Sequence, residues 1–329
     1  MGALVLTEAD LKRCLDLDAE AISIVEQGFT CLAEGGVDMP PVMRIDVPEN
    51  NGECDVKTAY VPGFKGFAVK MSSGFFNNDQ LGLPSLSGMV VLLSATTGFP
   101  LAVMLDNGYL TNLRTGAAGA VAAKHLAPAD VQQAGVIGAG VQARFQMIAL
   151  QHIRQFSRLL VTDLIPQRAD AYAEEMTERL GIQVRAVEGP EAVVRNSQVV
   201  VTTTPSKSPY LRPEWLHPGL HITAMGSDAE SKQELHAEAL GRADRLVCDR
   251  KSQAFRLGEL HHGLEAGVVD PESPITELGA ITSGQAPGRE DGSEITICDL
   301  TGTGVQDTVI ASLGYERAVQ AGLGLEIAA

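Results

Sequence analysis

The 329-residue chain reads as an α/β protein built around a doubly wound parallel sheet of the Rossmann kind, and three observations predict it. VIGAGVQA at 136–143 is an apolar strand running through a glycine turn into a helix. Gly138 permits the tight turn, Gly140 leaves room for backbone to approach a pyrophosphate, and Ala143 is the small residue where helix meets strand. From Ala134 onward, apolar strand-like runs alternate with helical segments, the pattern of right-handed crossovers and a parallel sheet. The roughly 130 residues before the glycine turn exceed what a Rossmann domain needs and predict a second domain carrying a substrate site.

Thr7 followed by Asp10 predicts a helix start after a short strand in LVLTEADLKRCL. A helix through AISIVEQGFTCLAEGG ends at Gly35 and Gly36. VMRIDV (42–47), VKTAYVPG (56–63), GFAVKMSSG (66–74) and GMVVLLSATTGFPLAVML (88–105) are strand-like, with TTG as a hairpin turn. They predict a mixed, largely antiparallel sheet. YLTNLRTGAAGAVAAKHLA, rich in small residues, is a helix carrying the chain into the nucleotide domain. There, GVIGA, RLLVTD (158–163), SQVVVTTT (197–204), HITAM, DRLVCD and EITICDL are strands, with a helix around 167–180. GVQDTVIASLGYERAVQAG is a helix beyond the last strand, long enough to leave this domain and pack back on the first.

With 25 basic against 41 acidic residues, the net charge of -16 argues against nucleic acid or an anionic membrane as partner. An anionic cofactor must then be held by local amides and a few placed cations. The five cysteines are scattered without a CxxC pair, as reduced, mostly buried thiols of a cytoplasmic protein. The opening MGALVLTEADLKRCLDL reads as neither a secretory signal nor a membrane span, and it lacks the Ser or Thr of a myristoylation signal.

Asp163 ends the second parallel strand, about 25 residues past the glycine turn. A carboxylate there accepts from adenosine ribose hydroxyls and repels a 2'-phosphate, which favours NAD over NADP. Arg168 softens that preference, and a helix cap before Pro166 is the alternative reading. Thr202, Thr203 and Thr204 end the third strand at its carboxyl edge, where ligands bind in doubly wound sheets, although threonine also simply suits a strand. In GSDAESKQEL, Asp228 follows an apolar strand, Lys232 comes four residues later, and Glu234 opens the next helix. Asp228 either moves a proton or orients water, or it caps a helix.

Arg44, Lys70 and Arg114 stand among apolar neighbours and suit a substrate carboxylate, with strand alternation leaving open that Lys70 or Arg44 points to water instead. Glu53, Asp55 and Asp79 are candidates, by location alone, to accept the far ammonium a diamino acid would carry. His261 and His262 have no carboxylate or Cys at ligand spacing and read as helix-surface residues, so no metal site is expected. His217 and His221 flank a turn and a strand and are read the same way.

LRTGAAGAVAAKHLA, VIGAGVQA, VTTTPS, HITAMGSDAESKQEL and CDLTGTGVQDTVIA together resemble the ornithine cyclodeaminase and mu-crystallin family over nearly the whole chain. CDLTGTGVQD and GELHHGLEAG are most similar to its ectoine-utilisation branch. The resemblance implies a discontinuous α+β domain, residues 1–130 plus 308–329, that binds substrate and dimerises. A Rossmann domain, 131–307, is inserted within it. It assigns Arg44, Lys70 and Arg114 to the substrate carboxylate, and Asp228, with Lys70, to catalysis. Ser85, Arg114, Thr115, Ala139, Gln142, Asp163, Thr204 and Lys232 would approach NAD, beside Gly138, Gly140, Val141 and Thr203 of the loops already described. Many members carry Ser after the final strand's Asp. Here Leu300 follows Asp299, and that polar contact is lost unless Thr301 or Thr303 replaces it.

The function implied is NAD-dependent chemistry at the alpha carbon of an amino acid through an imine. The outcome is cyclisation of ornithine or a related diamino acid, or dehydrogenation, or imine reduction. A non-catalytic, crystallin-like binder of nucleotide and small ligand is the rival from another class. A hydroxy-acid dehydrogenase would want a His paired with a carboxylate, and no His lies in a motif that fits.

Overall fold

The computed structural model describes Gly2–Ala328, the side chain of Asp79 excepted, so this candidate for a distal ammonium lies outside the described residues. β1 (Gly2–Thr7) leads into α1 (Glu8–Cys14) through a reciprocal capping box between Thr7 and Asp10. Asp18 caps α2 (Ala19–Glu34), which stops at Gly35. Then come β2 (Met43–Val47), β3 (Gly52–Ala59), β4 (Gly66–Phe75), β5 (Leu86–Ser94), β6 (Pro100–Leu105) and α3 (Tyr109–Leu126). The second half runs β7 (Gln133–Ile137), α4 (Val141–Ile153), β8 (Arg158–Thr162), α5 (Pro166–Leu180), β9 (Gln183–Ala186), α6 (Gly189–Asn196), β10 (Val199–Thr202) and β11 (His221–Ala224). It continues through α7 (Ala237–Leu240), β12 (Arg245–Cys248), α8 (Lys251–Leu257), α9 (Glu259–Glu265), β13 (Ile275–Glu277), α10 (Leu278–Thr282) and β14 (Thr296–Asp299). α11 (Gly304–Ala321) and β15 (Leu325–Ala328) close the chain.

The chain forms two compact units that part within α3, after Arg114, and again after Gly302. The sequence expectation set these divisions at 130/131 and 307/308. The first unit holds a seven-stranded mixed sheet in the order β15-β1-β6-β5-β4-β3-β2, antiparallel except where β1 lies parallel to β6. Register puts Leu6, Met104, Val90, Lys70 and Lys57 on one face, together with Ala102, Leu92, Ala68 and Ala59. All of these are buried, and α11 packs on the β3 and β4 part of the face.

The second unit holds an all-parallel sheet, β13-β12-β14-β11-β10-β7-β8-β9. The chain steps outward from β7 through β8 to β9, then returns to the other side of β7 as β10, so strand order reverses between β7 and β10. Ligands of open α/β sheets bind outside the carboxyl ends of the strands at such a reversal. The strands here are buried on both faces, as a sheet covered on both sides requires.

Three strands escaped the sequence reading. β9, β13 and β15 are sheet edges of three or four residues, too short to show a period. The strand expected at 56–63 begins earlier, at Gly52, because pairing with β2 and β4 recruits the polar segment 52–55. Glu234 does not open a helix; α7 begins only at Ala237, and the Glu234 side chain is buried instead. Cys248 and Cys298 are buried, whereas Cys14, Cys31 and Cys54 are half-buried. Among the described residues no helix is long and apolar enough to cross a membrane.

Candidate active site

In the second unit the glycine turn leaves β7 at Ile137. Gly138 has φ +96°, and a Cβ on it would lie 2.9 Å from Thr203 Oγ1, so glycine is required on both counts. Gly140 is the N-cap of α4 and makes no side-chain cap, and the space where its Cβ would point is open. The first-turn N–H groups of Val141 and Gln142 therefore belong to a helix end suited to an anion. Asp163 Oδ2 accepts from Ala139 N at 2.8 Å and Oδ1 from Ile165 N at 2.9 Å. The carboxylate thus sits against the glycine turn with acceptor capacity to spare. Arg144, which sequence reasoning missed, donates to the Ala139 and Gly140 carbonyls and pairs with Glu175.

The loops after β10 and β11 are tied by one buried carboxylate. Glu234 accepts from Thr202 Oγ1, Thr204 N and Oγ1, Tyr210 Oη and Gly226 N, at 2.6–2.8 Å. Burial raises its pKa in spite of these donors. Glu259 accepts from the Glu234 and Leu235 amides and is pushed well up by burial and by Asp299. Burial also lifts Asp299 to about 8. Just past β11, Asp228 Oδ1 accepts from Lys232 Nζ at 2.6 Å, and the aspartate side chain is 47% exposed. The Lys232 carbonyl takes Ser227 Oγ and His262 Nε2, which fixes the turn between the two charged residues.

In the first unit, β4 alternates so that Lys70 faces inward with Ala68. Asp307 of α11 receives Lys70 Nζ on Oδ1 at 2.9 Å, and Arg114 Nε lies 3.1 Å from the same oxygen. Arg114 also donates from Nη1 to Gln306 Oε1 at 3.0 Å. Burial, then Arg114, push Lys70 down to about 7. Burial works to raise Asp307, but Lys70 and Arg114 outweigh it and hold the carboxyl below its ordinary value. Asp307 Oδ2, Gln306 Nε2 and Arg114 Nε are buried without hydrogen bonds.

Arg44 lies on the edge strand β2. Through Asp55 and Ser72 its register places it on the same face as Lys70, but its guanidinium is half exposed and engages Asp46, Glu53 and Asp55. Both Glu53 and Asp55 thus meet an internal cation. Ser85 precedes β5, and its carbonyl accepts from Phe75 N. Thr115 is buried, with its carbonyl accepting from Gln146 Nε2. Thr301 Oγ1 is engaged by Asp249 and Gln253, Thr303 Oγ1 is buried without a hydrogen bond, and Leu300 is buried.

Asp307 and Glu234 each sit in a quoted motif, but a carboxylate's burial becomes legible only when its partners are in place. The histidine reading needs two corrections. A carboxylate does stand near by, since His261 and His262 lie 3.6 and 3.7 Å from Glu265, one turn on along α9. His221 is wholly buried between Thr223 and Thr296 and is not a surface residue.

The parallel sheet, its reversal beside the glycine turn and the uncapped helix define a Rossmann-type nucleotide-binding protein. The chain belongs to the ornithine cyclodeaminase/mu-crystallin family, whose sequence profile matches residues 1–322. A putative dehydrogenase of Rhizobium meliloti is 50% identical over 320 residues, 97% of each chain. The alanine dehydrogenase of Archaeoglobus fulgidus is 36% identical over 327 residues, 99% of this chain and 98% of that one. The Thermococcus litoralis Delta(1)-pyrroline-2-carboxylate reductase, solved with NADH and L-proline, has a TM-score of 0.94 at 34% identity, covering 98% of this chain and 100% of that one.

Proposed function

We propose that the protein is an NAD-linked oxidoreductase that interconverts an alpha-imino acid and the corresponding amino acid with net gain or loss of NADH. The observation that carries this reading is the buried Lys70–Asp307–Arg114 cluster, two cations on one carboxylate with further polar atoms unpaired. A site with surplus buried positive charge suits a small carboxylate.

Gly138, Ala139, Gly140, Val141 and Gln142 would hold the cofactor pyrophosphate, Asp163 the adenosine ribose, and Thr203, Thr204 and Lys232 the loops around it. Ser85, Arg114, Thr115 and Thr301 are assigned to the same cofactor, although Asp249 already holds both the Thr301 hydroxyl and its backbone N–H. When bound, NADH supplies a hydride to the imine carbon, and NAD accepts it in reverse. Lys70 and Arg114 bind the substrate carboxylate, with Arg44 nearer the exposed edge. Asp228, a carboxylate held by its ion pair with Lys232, would take a proton from the substrate nitrogen in oxidation and, in reduction, would pass to that nitrogen a proton first taken up from solvent. The pairing of Glu53 and Asp55 with Arg44 leaves a distal ammonium competing for them, which favours substrates without one.

We also assign a homodimer. The face of the seven-stranded sheet opposite Lys70 carries Val5, Val69, Met71, Met89, Val91 and Val103, in register across four strands and each half-buried in the single chain. A contiguous apolar face of this kind marks an association surface.

The test is turnover on cyclic and acyclic imino acids with NADH, and on alanine, proline, ornithine and lysine with NAD, reading both NADH absorbance and product mass. Reduction of an imino acid with stoichiometric NADH loss is expected. Ring formation from a diamino acid without net NADH change would make it a cyclodeaminase, and no turnover at all would make it a binder. Asp228→Asn should abolish turnover and keep NADH binding.

A further inference from the structure

α11 begins flush against β3. A Cβ on Gly304 would lie 2.3 Å from the Thr58 carbonyl oxygen, so only glycine lets the helix approach this closely. One turn on, Thr308 Oγ1 accepts from Ala68 N at 3.0 Å and donates to the Ala59 carbonyl at 2.7 Å, pinning the helix across β3 and β4. Asp307, the residue before it, is thereby fixed at the cations of those strands.

The groups facing this position come from every neighbouring element. Lys57 on β3 stands opposite Lys70 on β4, Arg114 comes from α3, and the turn before α3 carries the buried carboxyl of Asp106. Lys70 and Arg114 are 2% and 6% exposed, so without a carboxylate between them they would repel each other at low dielectric, and the lysine would shed its proton. Asp307 spends Oδ1 on both cations, and Gln306 fixes the far end of the guanidinium.

We propose that Asp307 is a positioning residue of the substrate site, holding Lys70 as an ammonium beside Arg114 so that the two cations meet a substrate carboxylate together. This rests on the carboxylate-binding role given above to Lys70 and Arg114. It adds to that role a residue from the far end of the chain, without which Lys70 would lose its charge and the pair its alignment.

Asp307→Asn keeps the shape and removes the charge, and Asp307→Glu keeps the charge. Loss of a charge-assisted contact predicts that Asp307→Asn raises KM for the acid substrate about tenfold to a hundredfold at neutral pH, with kcat changed far less. The defect should shrink as pH is lowered and Lys70 regains its proton, and NADH affinity should hold. Asp307→Glu should recover most of the KM.

A second readout needs no substrate. Limiting acetic anhydride, with mass spectrometry of the Lys70 peptide, should label Lys70 more readily in Asp307→Asn than in the parent at neutral pH. Unchanged KM, or unchanged Lys70 labelling, overturns the proposal. Should Asp307→Asn fail to fold, Lys70→Met, which leaves Asp307 paired with Arg114 alone, should melt above Lys70→Met/Asp307→Asn, which strands the buried guanidinium. A double variant as stable as that single one also overturns it. Absence of turnover in the parent protein would defeat the proposed function, while labelling and melting would still report on Asp307.

Discussion

Lys70 shows how one side chain can link substrate binding to pH. With its pKa pushed down to about 7, chiefly by burial, it is an ammonium below that value and neutral above it. KM for an acid substrate should therefore climb as pH passes from 6 to 8, and initial rates against pH measure it; a flat KM would remove Lys70 from the carboxylate site. The sign for folding follows from the same value. An unfolded lysine titrates near about 10.4, so below pH 7 the buried ammonium costs stability, and that cost fades as pH rises toward the unfolded value. Gly138 is a second residue with a calculable role. Gly138→Ala must bear a left-handed backbone and a methyl 2.9 Å from Thr203 Oγ1. A cost of at least about 1–2 kcal/mol is expected, seen as a lower Tm and, by titration, weaker NADH binding. Of these two residues only the glycine was legible beforehand, because its constraint is local. Whether Lys70 faced inward turned on which face of β4 is covered.

At the scale of elements, the loops after β10 and β11 act as one piece because Glu234 joins them. Glu234→Gln replaces an acceptor-only group by an amide whose NH2 must meet some of five donors. Each donor left unsatisfied costs about 1–3 kcal/mol. The variant should melt lower and lose NADH affinity by calorimetry, whereas a change confined to the exposed side chain of Glu230 should do neither. The threonines of VTTTPS were visible in the sequence as a strand end. Their shared anchor lies some 30 residues away, beyond any local pattern. The long strands and helices were legible from their periods, and the three short edge strands were not, since pairing rather than pattern makes them strands.

Across the whole molecule, two properties depend on burial summed over many residues. His221, wholly buried, is pushed down to about 3, first by burial and then by Arg289 and Arg154. Against an unfolded value near about 6.5, the stability tied to its neutral ring is complete above that pH and is lost as pH falls toward 3. Thermal melts should thus decline more gently between pH 6 and 4 for His221→Gln than for the parent. Burial of the apolar sheet face opposite Lys70 would make the protein a dimer by sedimentation. Val91→Glu, on that face, should shift it toward monomer; an unshifted dimer would place the interface elsewhere.

The sequence by itself determined what local chemistry and period can carry: the glycine turn at Gly138 and Gly140, the carboxylate at Asp163, the order of the longer strands and helices, and the motifs that mark the family. The tertiary structure decided which charges are buried and with whom. It turned Lys70 inward and set Asp307 from the last long helix against it. It left Arg44 among surface acids and made Glu234 a hidden brace. A pattern of residues fixes which groups a chain has, but the free energy of a charge depends on solvent and partners, and those exist only once distant segments have packed.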